Sequence, residues 1–185
     1  QRAYDMILQD ICMQKLHVVF AVDRAGLVGE DGETHHGIFD VGFLRQAPGM
    51  MVLCPASILE LRQMLIWAVE DYNGPVAIRY PRGTDRNYTD SAWDNLAAAH
   101  GNGVLSAHRS GEDVTIITYG TMLQNAMDAA AQLEERGIQA TVLRLLTVAP
   151  LPVDQILSHM SAAPRVIVIE EACAQSGIRQ ALAWE

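Results

Sequence analysis

Short apolar runs that alternate with amphipathic stretches are the feature that most constrains how this 185-residue chain can fold. Several runs are apolar throughout and rich in valine and isoleucine, as strands are when both faces of a parallel sheet are covered. The alternation of such strands with helical patterns predicts an α/β fold with mostly parallel sheets. The predicted strands cover residues 16–22, 50–54, 75–80, 114–119, 140–146 and 165–169.

Capping patterns mark where two of the helices begin. Ser57 followed by Glu60 is a capping box and predicts a helix that runs to about residue 71. Thr121 followed by Gln124 is a second such pattern, and its helix is expected to end before Gly137. Further helical patterns cover residues 4–11, 153–160 and the stretch from 176 onward.

The alternation pauses between residues 84 and 113, where turn-forming residues accumulate. We therefore expect one α/β unit over residues 1–83, a linker over 84–113 and a second α/β unit over 114–185. Within the linker, only residues 103–107 have a pattern that could form a strand. The chain starts without methionine and ends inside a helical pattern, so we expect both units to be incomplete parts of a longer protein.

Composition limits the partners. The formal net charge of -9 argues against nucleic acid and anionic membranes as general partners. No stretch approaches the ~18 apolar residues of a membrane span. Three cysteines without a C-x-x-C pair indicate reduced thiols in a cytoplasmic protein rather than disulfides or a zinc site. In so acidic a chain, an anionic substrate needs a local cluster of arginines.

Residues 23–40 carry the densest set of functional groups in the chain. They follow a predicted strand directly, and ligands of open α/β sheets bind at the carboxyl ends of strands. Arg24 could grip a phosphate or carboxylate through two hydrogen bonds, or it could form only a surface ion pair with Asp23. His35 and His36 are adjacent in a strand-like stretch, so their side chains point to opposite faces and we expect only one of them to face a site. A third ligand at metal-binding spacing is missing, and a metal site is therefore weakly supported.

Arg82 closes another predicted strand. If the strands are parallel, Arg24 and Arg82 reach the same edge of the sheet, and a phosphate suits two converging guanidinium groups. Alternatively, Arg82 only caps the linker. In the second unit, residues 119–121 could form an anion-binding helix start or a plain cap. Glu170 and Glu171 could be catalytic carboxylates, although a solvated strand end is the preferred interpretation, and the unit is assigned a structural or dimer-contact role.

The ordered motifs resemble the transketolase-like thiamine-diphosphate enzymes. The resemblance is strong over residues 1–83 and looser beyond. It places residues 1–83 in the latter part of the family's pyrimidine-binding domain and residues from 114 in the first part of its C-terminal domain. The motifs are Arg2-Ala3-Tyr4-Asp5, Asp23-Arg24-Ala25-Gly26, Gly29-x-Asp31-Gly32-x-Thr34-His35-x-Gly37-x-Phe39-Asp40, Pro55-Ala56-Ser57 and Arg79-Tyr80-Pro81-Arg82-Gly83.

Within that family, the motifs are similar to those of enzymes that condense pyruvate with glyceraldehyde 3-phosphate, release CO₂ and form 1-deoxy-D-xylulose 5-phosphate for isoprenoid, thiamine and pyridoxal biosynthesis. The resemblance implies that Arg24 and Arg82 bind the acceptor phosphate and that Asp31 contacts other polar groups of the acceptor. It implies that His35 faces the donor as a catalytic residue and that Arg2 lines the site. His36 receives no role.

The resemblance also implies a homodimer with thiamine diphosphate and Mg²⁺. The G-D-G motif that holds the metal and diphosphate does not occur in the chain, and the family's catalytic glutamate lies upstream of residue 1. The chain alone is therefore expected to be inactive and to bind the cofactor weakly or not at all. The alternatives are a transketolase, the beta subunit of a 2-oxo acid dehydrogenase, and a non-catalytic assembly or regulatory module.

Overall fold

Two four-stranded, mostly parallel sheets organise the residues that the structure, a computed structural model, describes: 2–83, 102–160, 163 and 165–183. The first sheet has the order β1-β3-β2-β7 and the second has the order β4-β6-β5-β8. The strands are β1 (Val19–Val22), β2 (Met51–Leu53), β3 (Val76–Arg79), β4 (Leu105–Arg109), β5 (Val114–Tyr119), β6 (Ala140–Leu145), β7 (Thr147–Ala149) and β8 (Val166–Ile169).

Helices pack against both sheets. The first, α1 (Tyr4–Met6), continues as a π-helical turn (Ile7–Cys12), and two 3₁₀ turns (Gly29–Asp31 and Glu33–His35) follow β1. The remaining helices are α2 (Asp40–Arg45), α3 (Ile58–Glu70), α4 (Met122–Glu134), α5 (Val153–Met160) and α6 (Ile178–Leu182). This alternation confirms the predicted α/β class with mostly parallel sheets.

The two predicted capping boxes have different outcomes. At α3, Ser57 Oγ accepts a hydrogen bond from the backbone N–H of Glu60 at 3.2 Å, as predicted. At α4 the helix is present, but Thr121 makes no side-chain cap, so this capping prediction is wrong. Thr121 already has helical backbone angles (φ -68°, ψ -11°) rather than the extended angles typical of a capping residue. Gly137, just beyond α4, has a φ of +78°, which favours glycine where a helix ends.

Strand β7 was not predicted. The apolar run from residue 140 continues past Leu145, but after Leu146 the chain crosses to the first sheet, where β7 pairs antiparallel with β2. A three-residue strand inside a longer apolar run leaves no separate signal in sequence. The second half of the chain therefore completes the sheet of the first half.

A buried ion pair joins the same two halves. Arg144 in β6 is fully buried, and its Nη1 donates to Glu60 Oε2 at 2.6 Å. The same carboxylate oxygen accepts from the backbone N–H of Ala56 at 2.7 Å. The pair links α3 of the first unit to the central part of the second sheet.

The boundaries of the units at residues 83 and 114 stay a prediction. Strand β4 lies inside the interval 84–113 and pairs antiparallel with β6. It overlaps residues 103–107, whose pattern could form a strand. The predicted turn-rich stretch at residues 84–101 lies outside the described residues. Among the described residues, no helix is long and apolar enough to cross a membrane.

Candidate functional site

The parallel pairing of β1 with β3 determines where the site lies. Val22, the last residue of β1, is in register with Arg79, the last residue of β3. Beyond the strands, the backbone N–H of Ala25 donates to the carbonyl of Tyr80 at 3.0 Å. Strands β1 and β3 therefore end at the same edge of the sheet, and the segments that carry Arg24 and Arg82 lie side by side beyond it.

Asp31 bridges the two arginines. Its Oδ2 accepts from Arg24 Nε at 2.8 Å, and its Oδ1 accepts from Arg82 Nη1. The Asp31 side chain is 18% exposed, while those of Arg24 and Arg82 are 39% and 47% exposed. Arg24 also pairs with Asp23 at 2.6 Å, and Arg82 Nη2 lies 3.1 Å from Glu30 Oε2. Two guanidinium groups thus share one carboxylate at the mouth of the site.

The electrostatics match this geometry. The hydrogen bond from Arg24, followed by the positive charges of Arg82 and Arg24, holds the pKa of the Asp31 carboxyl below its ordinary value, although partial desolvation opposes the shift. Arg24 adopts a φ of +58°, a left-handed conformation that is uncommon for a residue other than glycine. Such strain clusters at functional sites, and here it directs the guanidinium toward Asp31.

His35 and His36 have different surroundings. His35 is exposed at the end of the second 3₁₀ turn, and its Nδ1 lies 3.0 Å from Thr34 Oγ1. His36 Nδ1 accepts a hydrogen bond from the backbone N–H of Val28 at 2.8 Å. His36, which had no predicted role, therefore braces the loop, while His35 remains accessible.

The segment 23–40, hereafter the site loop, is closed on itself by backbone bonds. Gly26 and Gly37 exchange two N–H···O bonds of 2.9 Å, and the N–H of Gly37 also donates to the carbonyl of Arg24 at 3.0 Å. A Cβ at Gly37 would overlap the carbonyl of Arg24, so this crossing requires glycine. The crossing fixes the two ends of the loop on either side of Asp31 and His35.

Arg79 is a site residue that the sequence reasoning missed. It is 6% exposed, and its Nε donates to Asp40 Oδ2 at 2.8 Å. Its Nη2 donates to the carbonyls of Gly37 at 2.6 Å and Glu171 at 3.0 Å, and its guanidinium lies 5.7 Å from the ring centre of Tyr119. The signal was available in sequence: a lone arginine inside the apolar run 75–80.

The preferred interpretation of Glu170 and Glu171 as a solvated strand end is wrong. Glu170 accepts from the hydroxyl of Tyr119 at 2.9 Å and from the backbone N–H groups at the start of α6, at 3.0 and 3.2 Å, so it caps that helix. The Glu171 side chain packs against Gly26 of the site loop. Both carboxylates serve contacts between elements, which the sequence spacing alone could not show.

A narrow cleft separates the site loop from the second unit. It is lined by residues of both units, including Ala25, Arg79, Tyr119, Gly120, Thr121 and Glu171. Arg2, the remaining predicted site residue, is exposed in the turn before α1, and its role stays a prediction. The ligand roles of Arg24, Asp31, Arg82 and His35 are likewise proposals, and the structure brings Arg24 and Arg82 together around the Asp31 carboxylate.

Comparison with known proteins places the chain in a family. Residues 1–86 match the family model described as transketolase, pyrimidine binding domain. Residues 103–184 match the family model described as transketolase, C-terminal domain. The chain is 41% identical over 184 residues to a protein of Gloeobacter violaceus named 1-deoxy-D-xylulose-5-phosphate synthase. It is 44% identical over 182 residues to one of the same name from Desulforudis audaxviator. Each match covers 98% of this chain and 28% of the relative.

A solved structure gives the same result. The chain superimposes on a split gene transketolase, described as an inactive beta4 tetramer, with a TM-score of 0.84 and 29% identity, covering 99% of this chain and 57% of that one. The chain therefore belongs to the transketolase family, of which it carries pyrimidine-binding and C-terminal domain sequence. It spans about 28% of the length of the curated relatives it matches.

Proposed function

We propose that this chain supplies the acceptor-binding side of a 1-deoxy-D-xylulose-5-phosphate synthase, which condenses pyruvate with glyceraldehyde 3-phosphate and releases CO₂. One observation carries the proposal: Arg24 and Arg82 converge on the two oxygens of the Asp31 carboxylate. Two guanidinium groups that share one small oxyanion form the arrangement that a phosphate monoester requires.

The Asp31 carboxylate occupies the position between the two arginines that the acceptor's phosphate occupies in the proposed complex with substrate. A phosphate carries more negative charge and more acceptor oxygens than a carboxylate, so it forms the stronger set of charge-assisted hydrogen bonds. The Asp31 carboxylate, once replaced at the arginines, is available to accept from a hydroxyl of the acceptor. In a chain of net charge -9, these arginines are the positive groups with which an anionic substrate pairs, in competition with the carboxylates of Asp23, Glu30 and Asp31.

His35 is proposed as the catalytic group on the donor side. It is exposed on a short 3₁₀ turn, four residues from Asp31, and its imidazole can donate a hydrogen bond or transfer a proton. Arg2 is proposed to line the same site. Both assignments rest on the match between these positions and the family's motifs.

The cofactor proposed for the reaction is thiamine diphosphate with Mg²⁺, which supplies the nucleophilic carbon that attacks pyruvate. Within the described ranges, no group of three or more His, Cys, Asp or Glu side chains is placed to hold a metal ion. The described residues therefore offer no such cluster for the metal, and the steps assigned to the chain concern the substrates alone. We further propose that the complete protein is a cytoplasmic homodimer.

CO₂ release from pyruvate by the complete protein, with and without glyceraldehyde 3-phosphate, tests the function. Release that depends on the acceptor supports the synthase. CO₂ release that does not depend on the acceptor, or no release, refutes the synthase. Either outcome favours one of the alternatives: a dehydrogenase beta subunit, a transketolase that takes ketose donors, or a non-catalytic module.

A matched pair of variants tests the site in the same assay. Arg82→Gln should raise the KM for glyceraldehyde 3-phosphate, because it removes one guanidinium from the anion site. Arg109→Gln is the control, since Arg109, in β4 of the second sheet, also pairs with a carboxylate, that of Glu134, at 2.6 Å. Equal KM values in the two variants would remove the phosphate role from Arg82.

A further inference from the structure

We propose that Arg79 is a positioning residue through which the second α/β unit holds the site loop in its working shape. The second unit contributes none of the proposed substrate ligands, and the inference gives it a function at the site. For its catalytic consequence the inference rests on the proposed function, whereas its structural consequence can be measured independently.

Arg79 contacts the loop and the second unit through one nitrogen. Nη2 donates both to the carbonyl of Gly37, in the site loop, and to the carbonyl of Glu171, in the second unit. Nε of the same guanidinium donates to Asp40, where the loop ends and α2 begins. A planar fork of fixed donors can hold these three acceptors together, whereas the single ammonium of a lysine cannot reproduce their directions.

Two further contacts from the same segment of the second unit reach the loop. The backbone N–H of Cys173 donates to the carbonyl of Ile38 at 2.7 Å. The Glu171 side chain packs against Gly26, which has a φ of +82° and no room for a Cβ on that side. Together with Arg79, these contacts hold both loop segments that meet where Gly26 pairs with Gly37. That pairing in turn holds Arg24 and Asp31 in place.

The burial of Arg79 supports a positioning role over a purely stabilising one. A buried ion pair adds little net stability compared with well-packed apolar side chains, since desolvation offsets the attraction. Tyr119, which faces the guanidinium, is itself held by Glu170. The second unit therefore contacts Arg79 through the Glu171 carbonyl and the Tyr119 ring.

The test compares Arg79→Lys with Arg144→Lys in the complete protein. Both replace a buried arginine that pairs with a carboxylate and contacts both units, but the carboxylate of Arg144 lies on α3, whereas that of Arg79 lies at the end of the site loop. Amide hydrogen exchange at Gly26 and Gly37 should be about tenfold faster in Arg79→Lys than in Arg144→Lys, the effect of losing one charge-assisted hydrogen bond. The kcat/KM for glyceraldehyde 3-phosphate should be lower in Arg79→Lys than in Arg144→Lys by a similar factor, when each variant is assayed equally far below its melting temperature.

Equal exchange and equal kcat/KM in the two variants would overturn the inference. Faster exchange in Arg79→Lys, in a protein whose wild type shows no acceptor dependence, would support the positioning role while refuting the proposed function. If Arg79→Lys does not fold, Asp40→Asn takes its place, because it weakens the hydrogen bond that orients the Arg79 guanidinium and keeps the arginine itself. Faster exchange at Gly26 in that variant supports the inference, and unchanged exchange contradicts it.

Discussion

Removing the carboxylate of Glu60 should destabilise the fold more than any exposed charge change in this chain. Glu60 and Arg144 are 2% and 0% exposed at their side chains, and their contact is 2.6 Å. Glu60→Ala leaves Arg144 buried without this carboxylate and takes the acceptor from the N–H of Ala56. Losing one partner of a buried pair costs about 3–5 kcal/mol, a large share of the ~5–15 kcal/mol that stabilises a typical domain.

Glu134→Ala is the matched control. Glu134 accepts from Arg109 at the same 2.6 Å, but the two side chains are 52% and 31% exposed. An exposed ion pair is worth ~0–1 kcal/mol, because water and salt screen it. The two variants therefore differ in burial and not in the chemistry of the pair.

Urea denaturation followed by tryptophan fluorescence, to which buried Trp67 contributes, measures the difference. At a slope of ~1–3 kcal/mol per molar urea, a loss of about 3–5 kcal/mol in Glu60→Ala should lower the midpoint by about 1–5 M, and Glu134→Ala should lower it by much less. Replacing both Glu60 and Arg144 with leucine should recover most of the loss, since no charge then remains buried. Equal midpoints for Glu60→Ala and Glu134→Ala would refute the reasoning that burial decides the cost.

Three further predictions use other features. Gly26→Ala should be more destabilising in thermal unfolding than Gly137→Ala by roughly 1–3 kcal/mol, because both have positive φ but only Gly26 faces a side chain that a Cβ would strike; equal losses would contradict the contact. Burial raises the pKa of Cys54 to about 12, so iodoacetamide at pH 8 should label partly exposed Cys173 and leave Cys54 unmodified in the folded protein, as mass spectrometry of peptides can show. The Asp31 carboxyl should titrate by NMR below its ordinary value of 3.8. Because the folded pKa is lowered, the stabilisation is present above the unfolded pKa and is lost as the pH falls through the folded one, and a titration at or above 3.8 would show that the arginines do not hold it.

Periodicity was enough to predict most of the fold. The run 114–119 became β5 with the same bounds, and the Ser57 capping box correctly placed the start of α3. The crossing of β7 to the first sheet could not be predicted, because the choice between two sheets depends on contacts far apart in sequence. Thr121 failed as a cap for a related reason: its backbone angles are determined by the strand-to-helix turn and not by residue type.

The candidate site, like the fold, could be predicted only in part. Parallel strands bring the residues that follow them to one edge, so the meeting of Arg24 and Arg82 followed from the order of the elements. Its detailed form did not, since the bridge through Asp31 depends on two 3₁₀ turns that leave no periodic signal. Arg79 was missed because an arginine in an apolar run shows only that a partner must exist, while its partners Asp40 and Glu171 are distant in the chain.

The most direct test of the central claim compares glyceraldehyde 3-phosphate with unphosphorylated glyceraldehyde as acceptor, in the complete protein and in Arg82→Gln. If Arg82 binds the phosphate, the ratio of the two kcat/KM values should fall by about 30- to 150-fold in the variant, the effect of ~2–3 kcal/mol of charge-assisted hydrogen bonding. Arg109→Gln should leave the ratio unchanged. A ratio that is the same in Arg82→Gln and the wild type would contradict the claim that this edge of the sheet recognises the acceptor's phosphate.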